Sequence, residues 1–292
     1  MNLLWLNDGK AGHRRQAEGL LASLRRCGAT LQVHEVVVPR GLRDWWRIQS
    51  DLPKGFDPEL LLGVGHRTHA LLLLLKRQYP KAQSLLLMRP SLPLDWFDLL
   101  IMPQHDAPPL SPRIFATQGA LSPFTNQQRH QAGRHLILIG GASKRHAWDR
   151  AQLLAQLAQL AQHLQGQSVF LNGSRRTPVD FFQDSTCQKI TENIQIISDA
   201  DSLAEQLQLA ETVWVTEDSV SMISEAWTAG CRVGLIAMPC IKTDRITRAV
   251  DRLIEQQVVL RLGDVLAGQM LQLPPPLAEA DRAALWLLER LR

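Results

Sequence analysis

The chain has 292 residues, 45% apolar and 21% charged, enough for two ordinary domains with real cores. Lys plus Arg is 32 against 28 Asp plus Glu, a net charge of +4. That mild excess permits an anionic ligand or weak attraction to anionic lipid, and with no RNP, zinc-finger or helix-turn-helix signature it argues against a nucleic-acid partner. Cys27, Cys187, Cys231 and Cys240 are scattered without a CxxC pair, which excludes a disulfide framework or a zinc site and suits reduced thiols in a cytosolic protein.

The start, Met1-Asn2-Leu3-Leu4-Trp5-Leu6, meets Asn7 and Asp8 at once and lacks the basic region and long apolar stretch of a signal peptide. The leucine run 71–75 is too short to span a bilayer. The expected location is cytoplasmic, with peripheral contact at the inner membrane compatible with the charge.

Short apolar strands then alternate with amphipathic helices. Residues 3–6 read as a buried strand, and 14–26 as a helix with Ala17, Leu20, Leu21 and Leu24 on one face. Strands follow at 31–38 and 60–64, a helix at 68–77, and strands at 84–88, 99–102 and 114–117. Trp45-Trp46 reads as packing between domains. The Gly-, Pro- and polar-rich stretch 118–134 reads as the interdomain link.

The alternation restarts with a strand at 135–139 and a long helix at 149–164. The spacing then predicts strands at 168–171, 194–197, 213–215 and 233–237. Helices are expected at 179–187, 202–209, 219–229 and 244–256, and a last helix at 277–291 follows Pro274-Pro275-Pro276. Strands separated by helices imply parallel sheets with right-handed crossovers. The fold class is α/β, two Rossmann-like doubly wound parallel-sheet domains facing a cleft. The expected boundaries are 1–125 for an acceptor-side domain, 126–273 for a nucleotide-sugar-side domain, and 274–292 for a C-terminal helix.

Ligands of such sheets sit outside the carboxyl ends of the strands, so chemistry is sought in those loops. In Asn7-Asp8-Gly9-Lys10-Ala11-Gly12-His13, Gly9 and Gly12 allow a tight turn or close backbone approach. His13 or Asp8 is the candidate base, a neutral imidazole being able to take a proton at pH 7; Asp8 otherwise orients His13, caps the helix or does neither, and a Gly-rich turn with a solvated His is the plainer alternative. Gly63-Val64-Gly65 precedes a helix, and Gly65 joins the acceptor-side group, although a tight strand-to-helix turn explains it better. Gly140-Gly141-Ala142-Ser143-Lys144-Arg145 offers amides, a hydroxyl and positive charge, a diphosphate cradle without P-loop spacing. Ser174-Arg175-Arg176-Thr177 adds two hydroxyls and an arginine pair able to clamp phosphate oxygens, with one of the two arginines read as a surface charge.

Thr216-Glu217-Asp218-Ser219-Val220-Ser221-Met222-Ile223-Ser224-Glu225 is the most informative stretch. It places Ser219 and Ser221 at a helix start, where amides and hydroxyls hold phosphate. Asp218 either joins the site or caps the helix, and Glu225 lies on the same face as Ser221, positioned for ribose hydroxyls.

Asp8-Gly9-Lys10-x-Gly12-His13-x-x-Gln16, Ile139-Gly140-Gly141-x-Ser143-Lys144, Ser174-Arg175-Arg176-Thr177-Pro178 and Thr216-x-Asp218-Ser219-Val220-Ser221-Met222-x-Ser224-Glu225-Ala226 occur in order. Together they resemble the mitochondrial fission "elongated mitochondria" family and its bacterial members, over nearly the whole chain. That family looks like the GT-B glycosyltransferases, especially the bacterial peptidoglycan N-acetylglucosaminyltransferase. Gly12-His13 is similar to the Gly-Gly-His loop of that enzyme, and residues 224–230 to its Ser-Glu segment. The resemblance implies that Glu225 binds ribose, that His13 lines the acceptor side, and that the last helix returns to the N-terminal domain. Ala11 replaces a frequent Pro, and Arg232 stands where Pro is expected.

The resulting expectation is a metal-independent glycosyltransferase with no cofactor, taking a nucleoside-diphosphate sugar and an acceptor of unknown type, a lipid-linked one being compatible. The alternatives are a nucleotide-sugar epimerase and a non-catalytic binding or recruitment protein on the same fold.

Overall fold

The strands are runs of leucine and valine with little alternation, because each is covered by helices on both faces. Leu60–Val64 is buried at all five positions and Asn2–Asn7 at five of six. The computed structural model describes residues 1–38, 52 and 55–291. Trp45 and Trp46 lie outside the described residues.

The chain divides into an N-terminal unit, Met1–Pro123 with Ala278–Arg292, and a C-terminal unit, Phe124–Leu277. The first holds β1 (Asn2–Asn7), α1 (Ala11–Arg26), β2 (Gln32–Val37), β3 (Leu60–Val64), α2 (His69–Gln78), β4 (Gln83–Leu87), β5 (Leu99–Pro103) and β6 (Ile114–Thr117). The second holds β7 (Gln131–Ile139), α3 (Arg150–His163), β8 (Ser168–Gly173), α4 (Ser185–Ile190), β9 (Gln195–Ile197), α5 (Ala200–Leu209) and β10 (Ala210–Thr216). It continues through α6 (Val220–Thr228), β11 (Arg232–Ile236), α7 (Arg245–Glu255), β12 (Val259–Arg261) and α8 (Leu262–Leu266). The helix α9 (Glu279–Arg290) closes the N-terminal unit.

Each unit has one six-stranded sheet, ordered β2-β1-β3-β4-β5-β6 in the first and β12-β11-β10-β7-β8-β9 in the second. All pairings are parallel. The strand order reverses between β1 and β3 in one sheet and between β7 and β10 in the other. Such a reversal splays the flanking loops apart and opens a crevice at the carboxyl ends of the two strands. These two points position everything that follows.

In the N-terminal unit α1 buries Ala17, Leu20, Leu21 and Leu24 in one core cluster with Ala280, Ala283, Ala284 and Leu287 of α9. Arg26 pairs with Asp281 at 2.7 Å, and the buried Glu279 carboxylate accepts the Gln118 N–H at 2.7 Å. The C-terminal sheet buries Leu136, Val213, Val215, Val233 and Leu235 on one face and Ile137, Ile139, Leu171, Trp214 and Ile236 on the other.

Four local expectations need correction. The helix expected over 179–187 is instead a single turn at Phe181–Gln183 and then α4, because Asp184 accepts the N–H groups of Thr186 and Cys187 and starts the helix there. β7 begins at Gln131, inside the stretch read as a link; Gly133 adopts φ +71° and donates its N–H to Glu211. α1 begins at Ala11, so His13 is inside its first turn. The pieces β12 and α8 were not anticipated, since three and five residues are too short to show a period.

Candidate functional site

At the N-terminal switch point the β1 loop turns back through Gly9 at φ +80°. Asn7 Oδ1 accepts the Gly9 N–H at 2.8 Å, and Asp8 Oδ1 accepts the Lys10 N–H at 3.1 Å. The Asp8 side chain is fully buried. His13 Nδ1–H donates to Asp8 Oδ2 at 3.0 Å, which fixes the tautomer and leaves Nε2 as the basic atom. Among the described residues no group hydrogen-bonds to Nε2. Burial pushes the His13 pKa below 6.5 while Asp8 opposes that shift, so the ring is neutral at pH 7.

The loop after β3 packs against the imidazole. Gly65 has φ +76°, and a Cβ there would overlap the His13 ring. Gly65 is therefore required twice over, by its backbone and by the imidazole packed on it. Arg67 donates to the Asp8 carbonyl at 2.9 Å, tying the two loops together. Gly12, in contrast, has nothing within 4 Å of a Cβ placed on it among the described residues. Asp8, His13, Gly9 and Gly65 thus form one arrangement in which a buried carboxylate orients a neutral imidazole, the geometry of a general base.

At the C-terminal switch point the Gly-Gly loop follows β7 and the turn 216–219 follows β10. The sequence reading leaves the glycine amides free for a ligand; the structure corrects this. Gly140 N–H donates to Thr216 Oγ1 at 2.7 Å and Gly141 N–H to Asp218 Oδ2 at 3.1 Å. A Cβ on Gly140 would overlap the Asp218 carboxylate, and one on Gly141 the Arg176 backbone. The glycines make room for the protein's own chain.

Asp218 does not cap α6. Its fully buried carboxylate pairs with Arg176 Nη1 at 2.6 Å, and Arg176 also donates to the Gly141 carbonyl at 3.0 Å. Ser174 Oγ donates to the Gly140 carbonyl at 3.1 Å and accepts the Arg176 N–H at 3.1 Å. The Thr177 hydroxyl, expected beside an anion, is turned inward instead and donates from Oγ1 to the Gly140 carbonyl at 2.6 Å. Gly140, Gly141, Ser174, Arg176 and Asp218 are therefore brought together in one closed network. Ser143 is committed within its own loop, where Oγ accepts the N–H groups of Arg145 and His146.

What remains open is the start of α6. Ser219 is the N-cap residue and is buried, but its side chain makes no cap hydrogen bond. Ile223 N–H is the first to bond back, to the Ser219 carbonyl at 3.1 Å. Among the described residues the N–H groups of Val220, Ser221 and Met222 have no acceptor, as the first turn of a helix requires. Ser221 is exposed beside them, and Glu225 lies half-buried one turn further along. Lys144 and Arg175 are exposed and make no ion pair among the described residues. Arg145 differs: its Nε donates to both oxygens of Asp244, holding that carboxyl well below the usual range.

Two parallel-sheet units of this topology, with polar loops at both switch points, have the architecture of GT-B glycosyltransferases and related epimerases. MurG of Acinetobacter baumannii is 14% identical with a TM-score of 0.52, covering 99% of this chain and 92% of that one. The putative UDP-N-acetylglucosamine 2-epimerase of Listeria monocytogenes is 13% identical with a TM-score of 0.58, covering 99% and 95%. The UDP-GlcNAc 2-epimerase of Neisseria meningitidis, bound to UDP-GlcNAc, is 12% identical with a TM-score of 0.53, covering 99% and 100%. At these identities the likeness is one of fold. The chain itself belongs to the family described as mitochondrial fission ELM1, whose model matches residues 11–291. The uncharacterized protein RP120 of Rickettsia prowazekii (strain Madrid E) is 24% identical over 97% of each chain.

Proposed function

We propose that the protein is a glycosyltransferase that binds a nucleoside-diphosphate sugar on its C-terminal unit. The observation that supports this most is the start of α6, where three unpaired amides, the Ser219 and Ser221 hydroxyls and the positive end of the helix dipole meet at a sheet switch point. A diphosphate there accepts from these groups. Lys144 and Arg175 supply charge as the leaving group develops its own, and Glu225, in this reading, accepts from the ribose hydroxyls. In this reading Asp8-oriented His13 takes the proton of the acceptor hydroxyl through Nε2. Gly12, in the first turn of α1, leaves room on the acceptor side of that pair, since an added Cβ meets nothing within 4 Å among the described residues.

The test is incubation with UDP-, GDP- and CMP-sugars. Stabilisation against heat by one nucleotide supports the binding step, and sugar transfer lost in His13→Gln supports the chemistry. Epimerised sugar without any acceptor favours the epimerase reading instead.

A second reading has its own observation. The Asp218 carboxylate already holds the Gly141 amide and the Arg176 guanidinium, as expected in a protein that keeps the fold without the ligand. In that case no nucleotide raises the melting temperature.

A further inference from the structure

A concavity opens at the carboxyl ends of the C-terminal sheet, beside the turn that leads into α6. It has a volume of about 220 Å³ and is lined by His146, Glu217, Cys240, Thr243, Asp251 and Arg261, among others. His146 lies on the loop after β7, Glu217 after β10, Cys240 beyond β11, and Arg261 ends β12. Four strands thus present side chains from their carboxyl ends, where ligands of open parallel sheets bind. The Glu217 N–H donates to the Ile236 carbonyl at 3.0 Å, so the turn that leads into α6 also forms a wall of this pocket.

The chemistry of the lining is specific. Glu217 is 8% exposed, and Arg261 Nε donates to its Oε1 at 2.6 Å. Among the described residues no donor reaches Oε2. Asp251 lies 3.6 Å from Arg261 Nη2, so one guanidinium faces two carboxylates and the pocket is net negative. His146 is 6% exposed, and among the described residues its Nδ1 has no hydrogen-bond partner. Thr243 adds an exposed hydroxyl. Acceptors and donors line a small volume that is too tight for a whole nucleotide sugar, since drug-sized ligands occupy roughly 300–1,000 Å³.

We infer that this pocket holds the sugar ring of the donor, and that it selects a neutral polyhydroxylated sugar over an acidic one. Each sugar hydroxyl can donate to Glu217 Oε2 or Asp251 and accept from Arg261, Thr243 or His146. A carboxylate or phosphate on the ring meets two like charges, and that repulsion discriminates where attraction alone does not. The inference rests on the nucleotide-sugar reading and narrows its substrate class.

Calorimetric titration of the full chain with UDP, UDP-glucose, UDP-GlcNAc and UDP-glucuronate, repeated with the guanosine series, tests it. The expected result is a neutral nucleotide sugar binding about tenfold more tightly than its bare nucleotide, the worth of one or two hydrogen bonds, with the uronate no tighter than the bare nucleotide. Thr243→Val, an exposed change that leaves the fold intact, removes part of the sugar's advantage without altering affinity for the nucleotide. Glu217→Gln lets the uronate approach the neutral sugar in affinity. If nucleotides bind but neutral and acidic sugars bind alike, or Thr243→Val weakens nucleotide and nucleotide sugar equally, the pocket assignment is wrong while the nucleotide reading stands. If no nucleoside diphosphate or its sugar binds, both fall.

Discussion

Arg176 Nη1 lies 2.6 Å from Asp218 Oδ2, and that carboxylate oxygen also accepts the Gly141 N–H. The pair locks the loop after β8 to the turn after β10, with the Gly-Gly loop between them. Asp218 is fully buried while Arg176 is about one-third exposed, so the arginine is the partner able to turn outward towards a diphosphate.

Removing either member has different expected costs. Arg176→Ala leaves a buried carboxylate without its cation and destabilises the protein by about 2 kcal/mol, below the 3–5 kcal/mol of a fully buried pair because water reaches the guanidinium. Asp218→Asn keeps an acceptor for the Gly141 amide and releases Arg176. It costs less stability and tightens nucleoside-diphosphate binding about tenfold if Arg176 then turns to phosphate. Urea unfolding and calorimetry on the two variants measure both effects.

Gly65 and Gly12 separate two meanings of a glycine. Gly65→Ala forces a Cβ into the His13 ring at φ +76°, and the expected loss is about 1–3 kcal/mol together with His13's position. Gly12→Ala meets nothing and sits in the first turn of α1. It is expected to be neutral or to stabilise by a few tenths of a kcal/mol up to about 1 kcal/mol. Thermal denaturation of the two variants gives the comparison.

The sequence makes the strand-helix alternation and the loops at the strand ends legible, because buried parallel strands are continuous apolar runs and the glycine-bearing loops interrupt them. The motifs of those loops are legible too. What they do inside the fold is not. Gly140 and Gly141 look the same in sequence whether they bare amides to a ligand or admit Asp218 and Arg176. Asp218 likewise reads as a cap or as a site residue, and only its contacts with Gly141 and Arg176 show that it does not cap. Glu217, Arg261 and Thr243 sit far apart in the chain, and no spacing rule brings them to one pocket.

His69 makes stability depend on pH. It is almost fully buried, rests against Phe97 and Ser91, and has its pKa lowered from 6.5 to about 4 by burial and then by His66. The unfolded chain takes up a proton below 6.5 and the folded one only near 4. The stability gained by keeping the ring neutral is therefore complete above pH 6.5 and falls as pH drops through that window, by about 3 kcal/mol at most. His13 and His135, also lowered by burial, act in the same direction. Unfolding at a series of pH values should show this slope, and His69→Phe should flatten it.

Asp8 opposes the burial of His13, so removing its charge should shift the imidazole further down. In Asp8→Asn the NMR titration of His13 is expected to move to lower pH than in the parent protein. An unchanged midpoint would show that the carboxylate does not govern the ring.

The most direct measurement is calorimetric titration of nucleoside diphosphates into the parent protein and into Ser221→Asp. Ser221 is exposed, so the change leaves the core alone while setting a carboxylate beside the open amides of α6. A saturable heat with one nucleotide, weakened at least about tenfold in the variant, is the predicted result. No heat with any of them, or equal affinity in the two proteins, would contradict phosphate binding at this helix.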